Sequence, residues 1–125
     1  MKLEVGMYVR TKRKGIVKID EIIDNGVITY EDDLGREWEE ETGRKVIRYI
    51  GKDGWNSGLD EKEILKASHN IIDLIEVGDY VNGFSVIHKE NDILKCGLLV
   101  QFKENEIKSI VTKEQFESIE YSLEG

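Results

Sequence analysis

The sequence predicts a mainly β protein, β-rich with little helix, in which two small strand modules flank a short helix. Three observations point there. Short runs rich in Val, Ile, Thr and Tyr alternate with turn residues such as Asn25-Gly26 and Leu34-Gly35. Helix signals are confined to two capping boxes, Asp60 to Glu63 and Thr112 to Gln115. An opening segment also recurs: Leu3-Glu4-Val5-Gly6-Met7-Tyr8-Val9 returns as Ile75-Glu76-Val77-Gly78-Asp79-Tyr80-Val81, the mark of a duplicated unit.

Taken in order, Tyr8 to Thr11 reads as a strand that turns at Lys12-Arg13-Lys14-Gly15. Ile16 to Ile23 is a β-branched run. Asp24-Asn25-Gly26 is the strongest hairpin signal, because Asn-Gly accepts the positive φ of a type I′ turn, and Val27 to Tyr30 is then the returning strand. Asp33-Leu34-Gly35 is a second turn, and Trp38 to Ile50 holds a further hairpin around Thr42-Gly43. Gly51 to Gly58 has three glycines and no periodicity, and reads as a loop. Asp60 then caps a short helix ending at His69-Asn70. Residues 71–81 are strand-like again, and Gly97-Leu98-Leu99-Val100-Gln101-Phe102 is an apolar strand. Thr112 opens one or two helical turns before Ile119-Glu120-Tyr121.

The expected organisation is a module over residues 1–58, a connecting helix over 59–70 and a second module over 71–125. One continuous barrel with an extension is the alternative. The Val-Gly-x-Tyr-Val opening, followed by a loop and successive short strands, resembles the start of SH3-like small barrels. A likeness of that kind implies a fold and leaves function open.

At 125 residues the chain is one ordinary domain or two very small ones. No run approaches the roughly 20 apolar residues that cross a bilayer, so no membrane partner is expected. The N-terminus has no apolar signal region. Cys96 is the only cysteine, which rules out an intramolecular disulfide and fits a reducing cytoplasm. Eighteen Lys and Arg against 26 Asp and Glu give a net charge of −8. That balance works against non-specific phosphate binding by the whole surface, though not by a local basic patch.

Two further stretches, Ile64 to Gly83 and Ser109 to Tyr121, together with Val5-Gly6-Met7-Tyr8-Val9-Arg10-Thr11, resemble a group of small proteins encoded by phages and prophages of Gram-positive bacteria. The likeness is weakest over Asp32 to Gly58. It implies a phage origin and a role in binding a host protein. Inhibition of antiviral defence, in the manner of an anti-CRISPR, is one such role. The resemblance supplies no active site.

No Gly-x-Ser-x-Gly elbow, Walker loop or dinucleotide fingerprint occurs, and one Cys with two isolated His has no zinc spacing. No catalytic residue, cofactor or metal is therefore expected. His69 should interact with the last helical carbonyls and His88 should lie at the surface. Cys96 reads as a buried inert thiol rather than as the nucleophile of a Cys96–His88 pair.

Three segments remain for binding. Glu37, Glu39, Glu40 and Glu41 surround Trp38, with Asp32 and Asp33 just ahead. With Trp55 these are the candidate partner-binding residues, since acids beside an aromatic can dock on a basic surface or imitate nucleic-acid phosphates. The plainer reading is a solvated hairpin whose charges protect an edge strand. Arg10, Lys12, Arg13 and Lys14, with Tyr8 or Tyr30 for stacking, form a nucleic-acid alternative. Gly51 to Gly58, with Lys52 and Ser57, reads as a flexible connector or as a small-anion cradle. The expected function is a non-enzymatic cytoplasmic protein that binds a host protein. Nucleic-acid or nucleotide binding comes second, and a homo-oligomeric virion or assembly component third.

Overall fold

The computed structural model describes residues 2–51 and 54–116, and the protein is mainly β. The first half holds β1 (Tyr8–Thr11), β2 (Ile16–Lys18), β3 (Glu21–Ile23), β4 (Val27–Glu31), β5 (Glu37–Glu41), β6 (Val46–Ile50), β7 (Asn56–Asp60) and β8 (Ile64–Ser68). The second holds β9 (Tyr80–Val81), β10 (Phe84–Ser85), β11 (His88–Glu90), β12 (Ile93–Lys95), β13 (Gln101–Lys103) and β14 (Ile110–Val111). Residues 113–116, the last of those described, are α-helical and are labelled α1. No helix among the described residues is long and apolar enough to cross a membrane.

The halves share one plan. The first pairs its strands β2-β1-β8 and β3-β6-β7, and the second pairs them β10-β9-β14 and β11-β12-β13. A 3-10 turn precedes the last strand of each, Glu61–Glu63 before β8 and Glu104–Glu106 before β14. The repeated opening folds the same way twice. Gly6 N–H donates to Ile19 O and Ile19 N–H to Met7 O, at 2.9 and 2.8 Å. Gly78 N–H donates to Val86 O and Val86 N–H to Asp79 O, again at 2.9 and 2.8 Å. Both glycines have φ above +90°, which side chains rarely adopt. Leu3, Val9 and Ile19 enter the first core with Ile47, Tyr49, Leu59 and Ile64. Their counterparts Ile75, Val81 and Val86 enter the second with Ile72 and Leu94.

Several local expectations give way to tertiary pairing. The helix expected over 59–70 is one 3-10 turn followed by β8. Asp60 does cap, accepting from Lys62 N–H, but Ile64–Ser68 pairs antiparallel with β1, Val9 opposite Ala67. That ladder covers the first core, a gain that a short isolated helix cannot match. Residues 71–74 form a 3-10 turn capped by Asn70, and the strand waits until Tyr80. The capping box at Thr112 is realised: Gln115 Oε1 accepts from Thr112 N–H at 2.9 Å, and Thr112 Oγ1 from Gln115 N–H at 3.3 Å. Ile119-Glu120-Tyr121 and Lys52 lie outside the described residues.

Asn25-Gly26 and Thr42-Gly43 do not close hairpins of their own. β3 pairs with β6 and β4 with β5, so residues 21–50 form one long hairpin that turns at Asp32–Arg36. Asp32 holds that turn by accepting from Leu34 and Arg36 N–H, and the neighbouring backbone hydrogen bonds and Arg36 guanidinium lower its pKa. The other two turn signals face each other across the hairpin and break it in the middle. Thr42 N–H and Oγ1–H both donate to Gly26 O, and Gly26 N–H to Arg44 O. A Cβ on Gly26 would lie 2.3 Å from Val46 Cβ, so this joint requires glycine for space.

The halves meet through Arg10. Alternation along β1 points Val9 into the first core and Arg10 away from it, where the second half lies instead of water. Arg10 is wholly buried. Its Nη1 donates to Asp79 Oδ2 at 2.6 Å and to Leu74 O, and its Nη2 to Asp79 Oδ1 at 2.8 Å and to Glu114. Nε lies 3.1 Å from Glu76 Oε2, but its N–H is not aligned for a hydrogen bond. Burial lowers the pKa of Arg10, but Asp79 and Glu114 outweigh it and hold the group above its ordinary value. Burial raises Asp79, and Arg10 with the N–H groups of Glu76 and Lys113 brings it below the usual carboxylate range.

Candidate binding site

The candidate acids and Trp38 lie on β5, whose five residues are all exposed. None of its residues belongs to either core. Among the described residues β4 and β5 pair only with each other, as a two-stranded ribbon whose residues 27–29 lie near β6 and β7. Its root is fixed at the joint, where Arg44 holds buried Asp60 through a two-pronged ion pair of 2.9 and 2.7 Å. Arg44 is the largest influence on Asp60 and keeps its pKa low.

Strand alternation sorts the acidic run into two faces. Glu31 stands opposite Glu37, Thr29 opposite Glu39 and Val27 opposite Glu41. One face therefore carries Glu31, Glu37, Glu39 and Glu41, and the other carries Ile28, Trp38 and Glu40. Trp38 is 51% exposed. The direct Glu31–Glu37 opposition is unfavourable for the ribbon itself. Trp55, the remaining candidate, is 74% exposed and precedes β7 in the turn after β6, apart from the acidic run in sequence.

The basic residues divide differently. Arg10 does not belong to a nucleic-acid surface: it is buried and paired with the carboxylates of Asp79 and Glu114, out of reach of any phosphate. Lys12, Arg13 and Lys14 are exposed on the β1–β2 turn. That turn is firmly held. Thr11 Oγ1 donates to Gly15 O and accepts from Lys14 N–H, and Lys12 N–H donates to Glu63 O. Gly15, at φ +71°, rests against the Gln115 side chain.

Of the hollows beside this turn, one of about 210 Å³ is bordered by Arg13, Lys14, Asp60 and Glu63, and two others adjoin through Lys14 and Tyr49. One, about 430 Å³, lies between Lys14, residues 27–29 of β4, Val46, Arg48 and Tyr49 of β6, and Asn56, Ser57 and Gly58 of β7. The other, about 420 Å³, is bordered by Arg13, Lys14, Lys18, Tyr49, Gly51 and Gln115 among others. The basic turn and the Gly51–Gly58 segment, separate candidates in the sequence, thus line common hollows. The last three residues of that segment, 56–58, are strand rather than connector, since Asn56–Asp60 is β7. Arg48 and Lys18 join them from positions whose only sequence signal was strand alternation.

The other titratable residues lie elsewhere. His69 is exposed, its Nε2 3.0 Å from Glu4 Oε2, instead of closing a helix. His88 is exposed. Cys96 is half-buried at the end of β12, and burial raises its thiol pKa, the direction that lowers nucleophilicity. Of the run expected as a strand from Gly97 to Phe102, Gln101 and Phe102 do lie in β13, whereas residues 97–100 are the β12–β13 turn, closed by Cys96 N–H on Val100 O. It leaves Leu98 and Leu99 fully exposed. Comparison with protein-family models, curated proteins and solved structures found no match for the chain.

Proposed function

We propose that the chain is a non-enzymatic, phage- or prophage-encoded protein with two SH3-like modules that binds a host protein in the bacterial cytoplasm through the β4–β5 ribbon. Interference with antiviral defence is the role suggested by the sequence resemblance. One observation carries the reading. In the second half the strands equivalent to β3 and β6 are joined by Asn91 and Asp92 alone, whereas the first half inserts residues 24–45 at the same place. The shared frame closes without the ribbon, which adds exposed surface and no core.

The ribbon's chemistry names the kind of partner. Four glutamates on one face suit a basic surface, and Trp38 on the other suits an apolar pocket, the type of anchor that dominates binding energy. The Glu31–Glu37 opposition is a local cost of the sort found where function overrides stability. The test is capture by the tagged protein from a Gram-positive host lysate, with and without nuclease, followed by mass spectrometry. The expected result is a stoichiometric, nuclease-resistant protein that is lost from both Trp38→Ala and the triple variant Glu37→Lys, Glu39→Lys, Glu41→Lys. Capture unchanged by both variants, or no specific protein at all, would sink the proposal.

A further inference from the structure

We propose that the two adjoining hollows beside the β1–β2 turn form a binding site for a compact phosphate ligand of nucleotide size, held by Lys14 and Arg48 with Arg13 and Lys18 at its second lobe. Four cations border the pair of hollows, and no described Asp or Glu lines either one. The lining of this pair holds no acid, unlike that of the neighbouring hollow bordered by Asp60 and Glu63, so in a chain with 26 acids and 18 bases its four cations favour an anion locally against the overall field. Thr29, Asn56 and Ser57 add neutral hydrogen-bonding groups on the Arg48 side.

The ligand class follows from charge, size and surroundings. Cations spread over two lobes that share Lys14 and Tyr49 suit a ligand with two or more negative charges better than a lone carboxylate. Each lobe, at about 430 and 420 Å³, falls in the range of small-molecule sites, roughly 300–1,000 Å³. Val27, Ile28 and Thr29 of β4 border the first lobe, and Val27 and Thr29 share their face of the ribbon with Glu39 and Glu41. A long polyanion leaving the hollow on that side would meet those acids, whereas a compact ligand would not. The site is also preorganised, because Lys14 sits on a turn tied to Thr11, Gly15 and, through Lys12 N–H, Glu63.

The experiment is isothermal titration calorimetry of the full chain at low salt with three probes: inorganic pyrophosphate, ADP and a ten-nucleotide single strand. The expected result is binding of pyrophosphate and ADP that weakens with added salt and falls about tenfold or more in Lys14→Gln/Arg48→Gln, as expected when charge-assisted contacts are lost. Lys45→Gln, an exposed cation that lines neither hollow, should bind like the parent. Thermal melts showing both variants folded keep the comparison valid. No binding of pyrophosphate or ADP, binding of the oligonucleotide alone, or equal affinities in parent and double variant would each overturn the proposal. None of these outcomes depends on whether the ribbon captures a protein.

Discussion

The two halves of the molecule have the same backbone frame and put it to different uses. Gly6 and Gly78, Val9 and Val81, and Ile19 and Val86 occupy matching places with matching hydrogen bonds. The residue after the glycine differs: Met7 packs against the first core, whereas Asp79 is buried and receives Arg10. The loops differ as well. Asn82-Gly83 joins β9 to β10 where Lys12 to Gly15 joins β1 to β2, and Asn91-Asp92 stands where the first half grows its ribbon. Elements that the halves share bury apolar side chains or need positive φ. Elements they do not share make either the contact between halves or the surfaces assigned to binding.

Breaking Arg10 should give the largest effect. Arg10→Met leaves Asp79 buried with no cation, and removing one partner of a buried pair costs about 3–5 kcal/mol. Chemical denaturation should register that loss. Asp79→Met, which installs the first half's residue in the second, should be destabilising for the reciprocal reason. The double variant should be less damaged than the sum of the two, with a coupling of about 0.5–3 kcal/mol. Strict additivity would mean the pair does not couple the halves.

Acid should reveal part of the same interaction. Asp79 is held below its ordinary value, so its contribution is complete above the unfolded-state pKa of about 3.9 and is lost as pH falls below that toward the folded value. Without Arg10 this carboxyl keeps only the N–H groups of Glu76 and Lys113 against burial, so its pKa rises relative to the parent. The stability gap between parent and Arg10→Met, followed by urea melts, should therefore narrow as pH falls below about 4, the side of the unfolded-state pKa on which that shift acts. A gap that stays constant would place the cost of Arg10→Met in packing alone.

A smaller effect tests the equivalence of the two openings. Gly6 and Gly78 have φ of +92° and +99°, and a Cβ at either would meet little or nothing, Lys113 Cδ at 3.7 Å being the nearest atom to the second. Gly6→Ala and Gly78→Ala should each cost about 1–3 kcal/mol from backbone strain, and thermal melts should rank them alike. A clear difference would show that the shared frame is not under the same constraint in both halves.

The repeat was legible in the sequence because its constraints are local: a glycine that needs positive φ, and apolar residues two apart on a strand. The Asp32–Arg36 turn and the Thr112 cap were legible for the same reason. Pairing was not. Asn25-Gly26 carries the signal of a hairpin turn, yet β3 finds β6 across the joint, a choice made by Val46 and Ile47 far along the chain. Ile64 to Ser68 carried a helix cap ahead of it and became a strand because β1 had an edge to cover. Arg10 looked like part of a basic patch because alternation says only that it faces away from the first core. Nothing local says that a second core lies there. Of the candidate site residues, the acidic run could be read directly, but its division into two faces needed the register. The convergence of Lys14 with Asn56 and Ser57 needed the whole fold.

The smallest predicted effect concerns the turn that carries Lys14. Gly15 adopts φ +71°, and an added Cβ would lie 2.5 Å from Gln115 Oε1, the atom that accepts from Thr112 N–H in the cap of α1. Gly15→Ala should thus cost twice, once through backbone strain and once by displacing a capping side chain of the other half. In a Gln115→Ala background the second cost is gone, so Gly15→Ala should be milder there by about 0.5–1 kcal/mol, within the range of coupled neighbours. Thr112→Ala, which removes the hydroxyl cap and leaves the Gln115 side chain in place, should cost about 1 kcal/mol without relieving Gly15→Ala. If Gly15→Ala cost the same in both backgrounds, the turn would not rest on the second half. The basic turn would then belong to the first half alone, differing from Asn82-Gly83 in length and charge but not in what it supports.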